Sequence, residues 1–273
     1  MAPMNRRSFV WSALALPMCA VAQPNPDGQA RPPASWQALF AAADVPGTLV
    51  VVDARAATAV TRVHDAQRAE RRVSPASTFK IPHTLFALDA GLVRDEFQVF
   101  RWDGTRHAVP AWNRDQTLRS AMRDSTVWLY EAFAKALGTE RETAYLRKMQ
   151  YGNELATGAT PFWVDGDLAV SAQEQIALLR ALYANTLPFA VAHQRLVKDL
   201  IVYAAGNRWI LRAKSGWSGR IGWWVGWIEF GDGPVFFALN IDTPRRQADL
   251  PHRISIVREA LRSLDAWPAD CSI

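Results

Sequence analysis

The sequence predicts a mixed α/β (α+β) fold in which a central antiparallel sheet, built from both ends of the chain, is flanked by helices and carries an inserted all-helical lobe. Strand-like segments lie near both ends, whereas helical periodicity dominates the middle, with the lobe expected at about residues 95–205. The chain has 273 residues, 49% of them hydrophobic and 21% charged, which is enough to bury one substantial core. No Pro-rich or Ser/Gly-rich linker and no regular repeat divides it.

Strand patterns occur near both ends of the chain, beginning after about residue 46 and again after about residue 208. An amphipathic helix over residues 35–45, capped by Ser35, precedes a predicted hairpin formed by residues 47–55 and 59–64. Three further strands are predicted at 209–213, 222–230 and 235–241, with turns at 214–220 and 231–234 and a last helix at about 252–266. Because chain connections avoid crossing each other, both groups of strands fit best in one sheet.

Helix signals mark the middle of the chain. One helix is predicted over residues 77–90, ending at Gly91 and kinked by Pro82 in its interior. Another is predicted over residues 118–137, ending at Gly138. Two capping-box patterns, Thr139-Glu140-Arg141-Glu142 and Ser171-Ala172-Gln173-Glu174, each open a further helix.

Residues 1–22 have the pattern of a cleavable export signal. Arg6 and Arg7 form the positive start, an apolar run covers residues 9–16, and Ala20-Val21-Ala22 offers a cleavage site. The Asn5–Val10 stretch also fits a twin-arginine signal, so both the general (Sec) and the twin-arginine route stay open. We expect residues 23–273 to form a single catalytic domain in the periplasm, with no stable membrane association after cleavage.

The net charge and the positions of the cysteines and histidines argue against several kinds of site. The formal net charge is +5, without a Lys/Arg run of the kind that indicates nucleic-acid binding. The two cysteines are Cys19, in the signal, and Cys271, so the mature chain is expected to have no internal disulfide. None of the five histidines has a metal-ligand spacing to another His, Cys or acid, and no metal site is predicted.

The Ser77-Thr78-Phe79-Lys80 segment opens the helix that follows the hairpin. Residues three apart share one helix face, so the Lys80 amine is expected beside the Ser77 hydroxyl. A serine becomes a nucleophile when a base takes its proton, and burial can keep a lysine neutral enough to be that base. A helix cap followed by a surface lysine explains the same four residues, so this motif does not decide the matter alone.

Lys214-Ser215-Gly216 is a second candidate motif near the last strands. A lysine, a hydroxyl and a small residue at a sheet edge can hold a carboxylate, since glycine allows a substrate to come close. An S-x-x-K motif followed much later by K-[ST]-G is the pairing found in penicillin-binding proteins and serine β-lactamases.

Two further motifs distinguish between the classes of serine β-lactamase. Ser125-Thr126-Val127 stands where class A enzymes have S-D-N, and Tyr151-Gly152-Asn153 follows it. With these four motifs in order, the chain resembles the class D (oxacillinase-type) β-lactamases over about residues 34–266. Three other segments fit the same family, at residues 100–122, 161–168 and 222–227.

The resemblance implies a role for each matched residue around the nucleophile. Ser77 corresponds to the acylated serine and Lys80 to the lysine that carbon dioxide converts to an N-carboxylated general base. Trp163 corresponds to the tryptophan whose indole N–H supports that carboxylate. Apolar walls around the lysine are expected from Phe79, Val127 and Leu168. No cofactor is implied beyond carbon dioxide or bicarbonate as the source of the Lys80 modification.

The resemblance also assigns the substrate side of the site. Ser125 corresponds to the proton relay to the lactam nitrogen, and Lys214 to the lysine that polarises it. Ser215 and Arg253 correspond to the groups that hold the substrate carboxylate. Gly216 allows a close approach, and the backbone N–H groups of Ser77 and Trp217 correspond to the oxyanion hole. The YGN motif (151–153) is interpreted as architectural.

The function implied is hydrolysis of penicillin-type β-lactams, small-molecule partners, by a monomer or homodimer that confers antibiotic resistance. Two alternatives stay open: a penicillin-binding sensor domain that acylates without turnover, and a peptidoglycan transpeptidase or carboxypeptidase. The preferred antibiotics are not determined by these motifs.

Overall fold

The computed structural model describes residues 28–273, so the predicted signal at 1–22 lies outside the described residues. Within these described residues, seven strands and eight α-helices follow in chain order, joined in places by short 3₁₀ turns. Their bounds are β1 Gly28–Gln29, α1 Ala34–Ala43, β2 Gly47–Asp53, β3 Val60–His64, α2 Ala66–Glu70, α3 Lys80–Asp89, α4 Leu118–Arg123, α5 Val127–Met149, α6 Ala172–Ala184, α7 Val191–Leu200, β4 Val202–Ala205, β5 Trp209–Trp217, β6 Ile221–Phe230, β7 Gly233–Asp242 and α8 His252–Arg262.

The strands form one sheet in the order β1-β3-β2-β7-β6-β5-β4. The two ends of the chain meet where β2 pairs antiparallel with β7, with Thr48 opposite Asn240. This confirms the prediction of a sheet built from both ends. Among the strands of residues 28–273, the departure from an antiparallel sheet is β1, a two-residue strand that runs parallel to β3 and is too short to show a sequence pattern.

Alternating residues of the central strands pack into two separate apolar clusters, one on each face of the sheet. Trp223 and Trp227 of β6 face the cluster that contains α3 and the helical lobe, whereas Trp224 faces α1 and α8. All three are fully buried. The period of two follows from the pleat of the strand, which sends successive side chains to opposite faces.

Two predictions at the sheet were wrong in detail. Ser35 does not cap α1, which begins at Ala34 after Pro33 without a side-chain cap. Residues 214–217 are not a turn, because β5 continues through them and pairs with β6, with Lys214 opposite Val225. Backbone pairing with a central strand holds this polar segment extended although its side chains interrupt the apolar pattern.

The predicted helix over 77–90 is a 3₁₀ turn, Ala76–Phe79, followed by α3. Pro82 is therefore the third residue of α3, in the first turn, where an α-helical N–H has no intrahelical partner to lose and the proline causes no break. The Ser171 capping box is confirmed, with both reciprocal hydrogen bonds present. The last helix ends at Arg262, four residues before the predicted end.

The predicted helix over 118–137 is broken between Arg123 and Val127 into α4 and the start of α5, and α5 itself is interrupted, as predicted, at Gly138. Its φ of 74° and ψ of 159° are not helical, so α5 consists of two helical halves. The predicted capping role of Glu142 is wrong, because its carboxylate turns inward and hydrogen bonds to His83. None of the helices in residues 28–273 is long and apolar enough to cross a membrane.

Candidate active site

Ser77 and Lys80 lie at the junction of the 3₁₀ turn and α3, on the edge of the sheet. Lys80 Nζ donates a hydrogen bond to Ser77 Oγ over 3.2 Å. Ser77 is partly exposed, while Lys80 is only 1% exposed, so the hydroxyl faces outward and the amine lies behind it. The residue before Ser77, Ala76, has a left-handed φ of 48°, held by a 2.8 Å hydrogen bond from its N–H to the Trp163 carbonyl.

Burial lowers the pKa of Lys80 well below the value of a free lysine, and the positive charge of Lys214 lowers it further. Glu131 acts in the opposite direction but does not reverse the effect. The Lys80 amine lies 4.9 Å from the centre of the Tyr130 ring. Since desolvation disfavours the ammonium form, this pocket favours the neutral amine. Tyr130 was not predicted, although it lies one helical turn after Val127, a spacing that could have indicated it.

The four residues predicted to support Lys80 differ in burial. Phe79, Trp163 and Leu168 are buried in one apolar cluster, and Val127, the first residue of α5, is half-buried. The Phe79 and Trp163 rings are 5.7 Å apart. Among residues 28–273 no hydrogen-bond partner reaches the buried Nε1 of Trp163. An indole N–H left without a partner in the apolar wall is able to donate to a further oxygen atom there.

Ser125 and Lys214 come from the helical lobe and the sheet, and they meet across the cleft. Lys214 Nζ donates to Ser125 Oγ over 2.8 Å and to the Ser215 carbonyl over 3.0 Å. Burial, and next the charge of Arg253, lower the pKa of Lys214 to about 7. Ser125 has a left-handed φ of 57°, and the Trp112 indole holds the preceding residue by a 2.9 Å hydrogen bond to the Asp124 carbonyl. The lysine therefore connects the two halves of the site.

The end of β5 packs directly on the turn that carries Ser77. A Cβ added at Gly216 would lie 3.0 Å from the Pro75 carbonyl oxygen and 3.2 Å from the Ser77 nitrogen. A side chain here would be packed more tightly than usual, so the glycine favours this approach, which brings the Ser77 N–H beside the backbone that leads into Trp217. These are the two N–H groups that the resemblance implied for an oxyanion hole.

Arg253 of α8 reaches the same end of β5. Its Nη1 donates to the Gly216 carbonyl over 2.9 Å, and its Nε donates to the Leu250 carbonyl over 2.9 Å. Burial lowers the pKa of the guanidinium to about 10. Arg253 is thus packed against the strand that carries Ser215.

Thr243 is a residue of this region that the sequence patterns did not indicate. It is 3% exposed, and its hydroxyl accepts a 3.1 Å hydrogen bond from the Trp217 indole N–H. The same hydroxyl lies 3.4 Å from the Gly219 carbonyl in the turn between β5 and β6. Thr243 therefore fixes both the Trp217 ring and the compact turn that follows it.

The YGN motif fastens the loop that carries Trp163 and Leu168. The Asn153 amide donates to the Asp167 carbonyl over 2.7 Å and accepts from the Ala169 N–H over 3.0 Å. Gly152 has a φ of 58°, and an added Cβ would lie 2.1 Å from the Ala169 carbonyl oxygen. These contacts are with backbone rather than with the cleft, which supports the architectural interpretation.

The part of the chain from Gly28 to Ile273 contains no group of three or more His, Cys, Asp or Glu side chains arranged to hold a metal ion. The groups of this site able to act on a substrate are hydroxyls, amines, a guanidinium and backbone N–H groups. They lie beside the partly exposed Ser77 hydroxyl, an arrangement that is compatible with an acyl-transfer site.

The sheet, the covering helices and this site define the class of serine acyl-transfer proteins with the fold of penicillin-binding transpeptidases. Residues 47–262 match the family model described as the penicillin binding protein transpeptidase domain. The chain is 58% identical over 244 residues to β-lactamase OXA-3 of Pseudomonas aeruginosa, covering 89% of each chain. It is also 58% identical to β-lactamase OXA-2 of Salmonella typhimurium, covering 87% of each.

A solved structure gives the same result. The crystal structure of FUS-1 (OXA-85), a class D β-lactamase from Fusobacterium nucleatum subsp. polymorphum, superimposes with a TM-score of 0.80 at 35% identity, covering 85% of this chain and 98% of that one. This chain belongs to the class D β-lactamases, a family of serine hydrolases. The family, the fold and the enzyme class predicted from the sequence are thereby confirmed.

Proposed function

We propose that this protein hydrolyses the β-lactam ring of penicillin-type antibiotics through an acyl-enzyme on Ser77, and so confers resistance to them. The observation that carries the proposal is the 3.2 Å contact between Ser77 Oγ and Lys80 Nζ. Burial lowers the pKa of this amine and so favours its neutral form. The family relationship to β-lactamases OXA-3 and OXA-2 supports the reaction type.

Ring opening begins with loss of the Ser77 proton towards Lys80. Ser77 Oγ then attacks the lactam carbonyl carbon, and the carbonyl oxygen becomes an oxyanion beside the backbone N–H groups of Ser77 and Trp217. Fixed donors of this kind stabilise charge that develops only in the transition state, a contribution of roughly 3–4 kcal/mol for one donor. Gly216 is required for this geometry because it lets β5 approach the 3₁₀ turn.

The departing lactam nitrogen must receive a proton as the C–N bond breaks. Ser125 delivers it from its hydroxyl and is reprotonated through Lys214, whose amine lies 2.8 Å away. A pKa of about 7 suits Lys214 for this role, because a proton carrier works best when its pKa is near the working pH. Ser215 and Arg253 hold the substrate carboxylate and so orient the ring over Ser77.

Deacylation needs a base that can activate water, and the neutral Lys80 amine fits N-carboxylation by carbon dioxide. An N-carboxylated Lys80 supplies a carboxylate base for both halves of the reaction. The residues present fit such a group: the amine is 1% exposed, and Trp163 Nε1 is a buried donor to which residues 28–273 offer no partner. Phe79 and Leu168 keep the pocket apolar, which protects the modification from acid-catalysed loss.

We further propose that the protein acts in the periplasm after residues 1–22 are removed, without stable association with a membrane. The support for this is the sequence pattern of the leader. Mass spectrometry of the protein exported from a bacterial host tests it: an N-terminus at Gln23 supports cleavage after Ala22, and a retained or lipid-modified leader contradicts it.

Steady-state hydrolysis tests the proposed reaction. The mature protein should turn over a penicillin and a chromogenic cephalosporin, and bicarbonate should raise the rate at low pH, where loss of the modification is fastest. Ser77→Ala should abolish both turnover and the mass increase of the acyl-enzyme. Ser255→Ala, a change of the same kind on α8, serves as the control that should keep activity.

The two alternative functions give a different outcome. One stoichiometric burst without turnover, even with bicarbonate present, would contradict the hydrolase and favour a penicillin-binding sensor. Cleavage or transfer of a D-alanyl peptide together with that burst would favour a transpeptidase or carboxypeptidase.

A further inference from the structure

A buried polar pair lies behind the active site and has no part in the steps above. His83 Nε2 and Glu142 Oε1 share a hydrogen bond of 2.7 Å, and the two side chains are 0% and 1% exposed. Within the described residues, His83 Nδ1 and Glu142 Oε2 have no further partners. Two incompletely satisfied polar groups in an apolar core are costly, so the pair adds little net stability compared with apolar side chains of the same volume.

The break in α5 is what directs Glu142 inward. Gly138 has a non-helical backbone in the middle of α5, so the second half of the helix starts with a new phase. Glu140, two residues earlier than Glu142, is exposed on the same half. Of these two glutamates, only Glu142 reaches α3 and fixes the orientation of the His83 ring.

His83 is three residues after Lys80 and therefore shares its face of α3. Its ring stacks on Phe79 with centroids 5.0 Å apart and an angle of 27°, and it lies 5.2 Å from the Trp163 ring. Phe79 and Trp163 are 5.7 Å apart, so the three rings form a closed triangle. The His83 ring is therefore packed against both the Phe79 ring and the Trp163 ring.

We propose that His83, oriented by Glu142, is a positioning residue for Trp163 and thereby sets how strongly the protein retains the Lys80 modification. This rests on the proposed function, because the Trp163 indole N–H matters only if Lys80 carries a carboxylate. The pair touches neither substrate nor Ser77. Its expected effect is therefore on the bicarbonate requirement and on deacylation, with acylation much less affected.

Three variants test whether Glu142 affects Lys80 through His83 and Trp163. Glu142→Leu removes the hydrogen bond to His83 at similar volume. Glu142→Gln keeps it, because an amide can either donate to or accept from the imidazole. Glu140→Leu makes the same chemical change on the exposed side of the same helix and is the matched control.

The first measurement is the bicarbonate concentration that gives half-maximal penicillin turnover. We expect Glu142→Leu to raise it about tenfold or more, the usual scale for losing a residue that orients a functional group. Glu142→Gln and Glu140→Leu should stay within about twofold of the parent protein. The second measurement is the ¹³C NMR signal of the carboxylated lysine in protein equilibrated with ¹³C-bicarbonate, which should weaken in Glu142→Leu and recover with added bicarbonate.

The outcomes separate this inference from the proposed function. If the parent protein gives neither a ¹³C NMR signal of a carboxylated lysine nor any dependence of turnover on bicarbonate, Lys80 is not modified and the carboxylate part of the proposed function fails. If Trp163→Phe changes them and a folded Glu142→Leu does not, the positioning role is wrong. Equal losses of acylation and deacylation in Glu142→Leu, not corrected by bicarbonate, would also overturn it, because they indicate a purely structural role.

Discussion

Lys214 and Ser125 are 89 residues apart in the chain, and the lysine amine donates a 2.8 Å hydrogen bond to the serine hydroxyl. One residue comes from the sheet and the other from the strained turn before α5. The contact therefore joins the two parts of the protein that form the cleft. It also places a lysine with a pKa of about 7 where a proton has to travel during ring opening.

Substitution of Arg253 should change both substrate binding and the pH profile. Arg253→Met removes a charged partner of the substrate carboxylate, and such hydrogen bonds contribute about 1.5–3 kcal/mol, so kcat/KM should fall roughly 10- to 100-fold. It also removes a positive charge that lowers the pKa of Lys214, so that pKa should rise. The measurement is kcat/KM as a function of pH. The part of this profile that reflects the Lys214 pKa, called here the Lys214 limb, should move to higher pH.

Arg253→Lys retains a positive charge and is the control for that shift. It should lose part of the affinity without moving the Lys214 limb by more than a few tenths of a pH unit. If Arg253→Met leaves the pH profile in place, the charge of Arg253 does not govern the protonation of Lys214.

Substitution of Trp163 should slow deacylation more than acylation. Trp163→Phe keeps an aromatic ring but removes the buried N–H that has no partner among the described residues. We expect a penicillin burst of nearly full amplitude, followed by steady turnover reduced about tenfold or more and restored in part by bicarbonate. Trp267→Phe is the matched control, since it also removes a buried, unpartnered indole N–H but lies in the apolar cluster on the other face of the sheet. A loss of burst amplitude as large as the loss of turnover would contradict this prediction.

Substitution of Gly216 should separate β5 from the turn that carries Ser77. In Gly216→Ala the new methyl group meets the Pro75 carbonyl oxygen at 3.0 Å and the Ser77 nitrogen at 3.2 Å, so backbone must shift. Overpacking of this kind costs about 1–3 kcal/mol. A displaced oxyanion site should lower kcat by roughly 10- to 100-fold. Thermal unfolding and penicillin hydrolysis measure the two effects.

Gly231→Ala is the control for this change, because a Cβ at Gly231 in the turn between β6 and β7 meets no atom within 4 Å. Its activity and melting temperature should match those of the parent protein. An active Gly216→Ala protein would show that β5 does not need to lie so close to Ser77.

The unfolding free energy should rise with pH between about 7 and 10. Burial lowers the pKa of Lys214 in the folded protein from 10.5 to about 7, so across this range the unfolded chain binds more protons than the folded chain. Stability then increases with pH, by on the order of 4 kcal/mol for a shift of that size. The amine of unmodified Lys80 acts in the same direction. Above about pH 10 the trend should reverse, because burial raises the pKa of Tyr130 and Tyr151 and the unfolded chain then ionises first.

Urea unfolding of the parent protein and of Lys214→Met at several pH values measures this effect. The variant should be more stable than the parent at pH 7, and the difference should shrink towards pH 10. A constant difference across the range would mean that Lys214 does not titrate there.

The catalytic motifs could be found from the sequence because each is a short, local pattern. Ser77 and Lys80 share a helical face, and the four motifs occur in the order of the class D family. Tyr130 and Thr243 were missed, although both contact the site. Tyr130 follows Val127 at helical spacing, but Thr243 lies at the end of β7 in a segment without any motif, and only the turn between β5 and β6 brings it to Trp217.

What the sequence by itself determined is therefore what local backbone geometry encodes: the strand segments near both ends of the chain, the capping box at Ser171 and the break at Gly138. Only the tertiary structure decided that β5 continues through Lys214, that Glu142 turns to His83, and that Gly216 lies against Ser77. The reason is physical. Periodicity and capping depend on neighbours within one helical turn or one strand, whereas these three contacts depend on strand register and on the phase of a broken helix, which are set by the packing of distant segments.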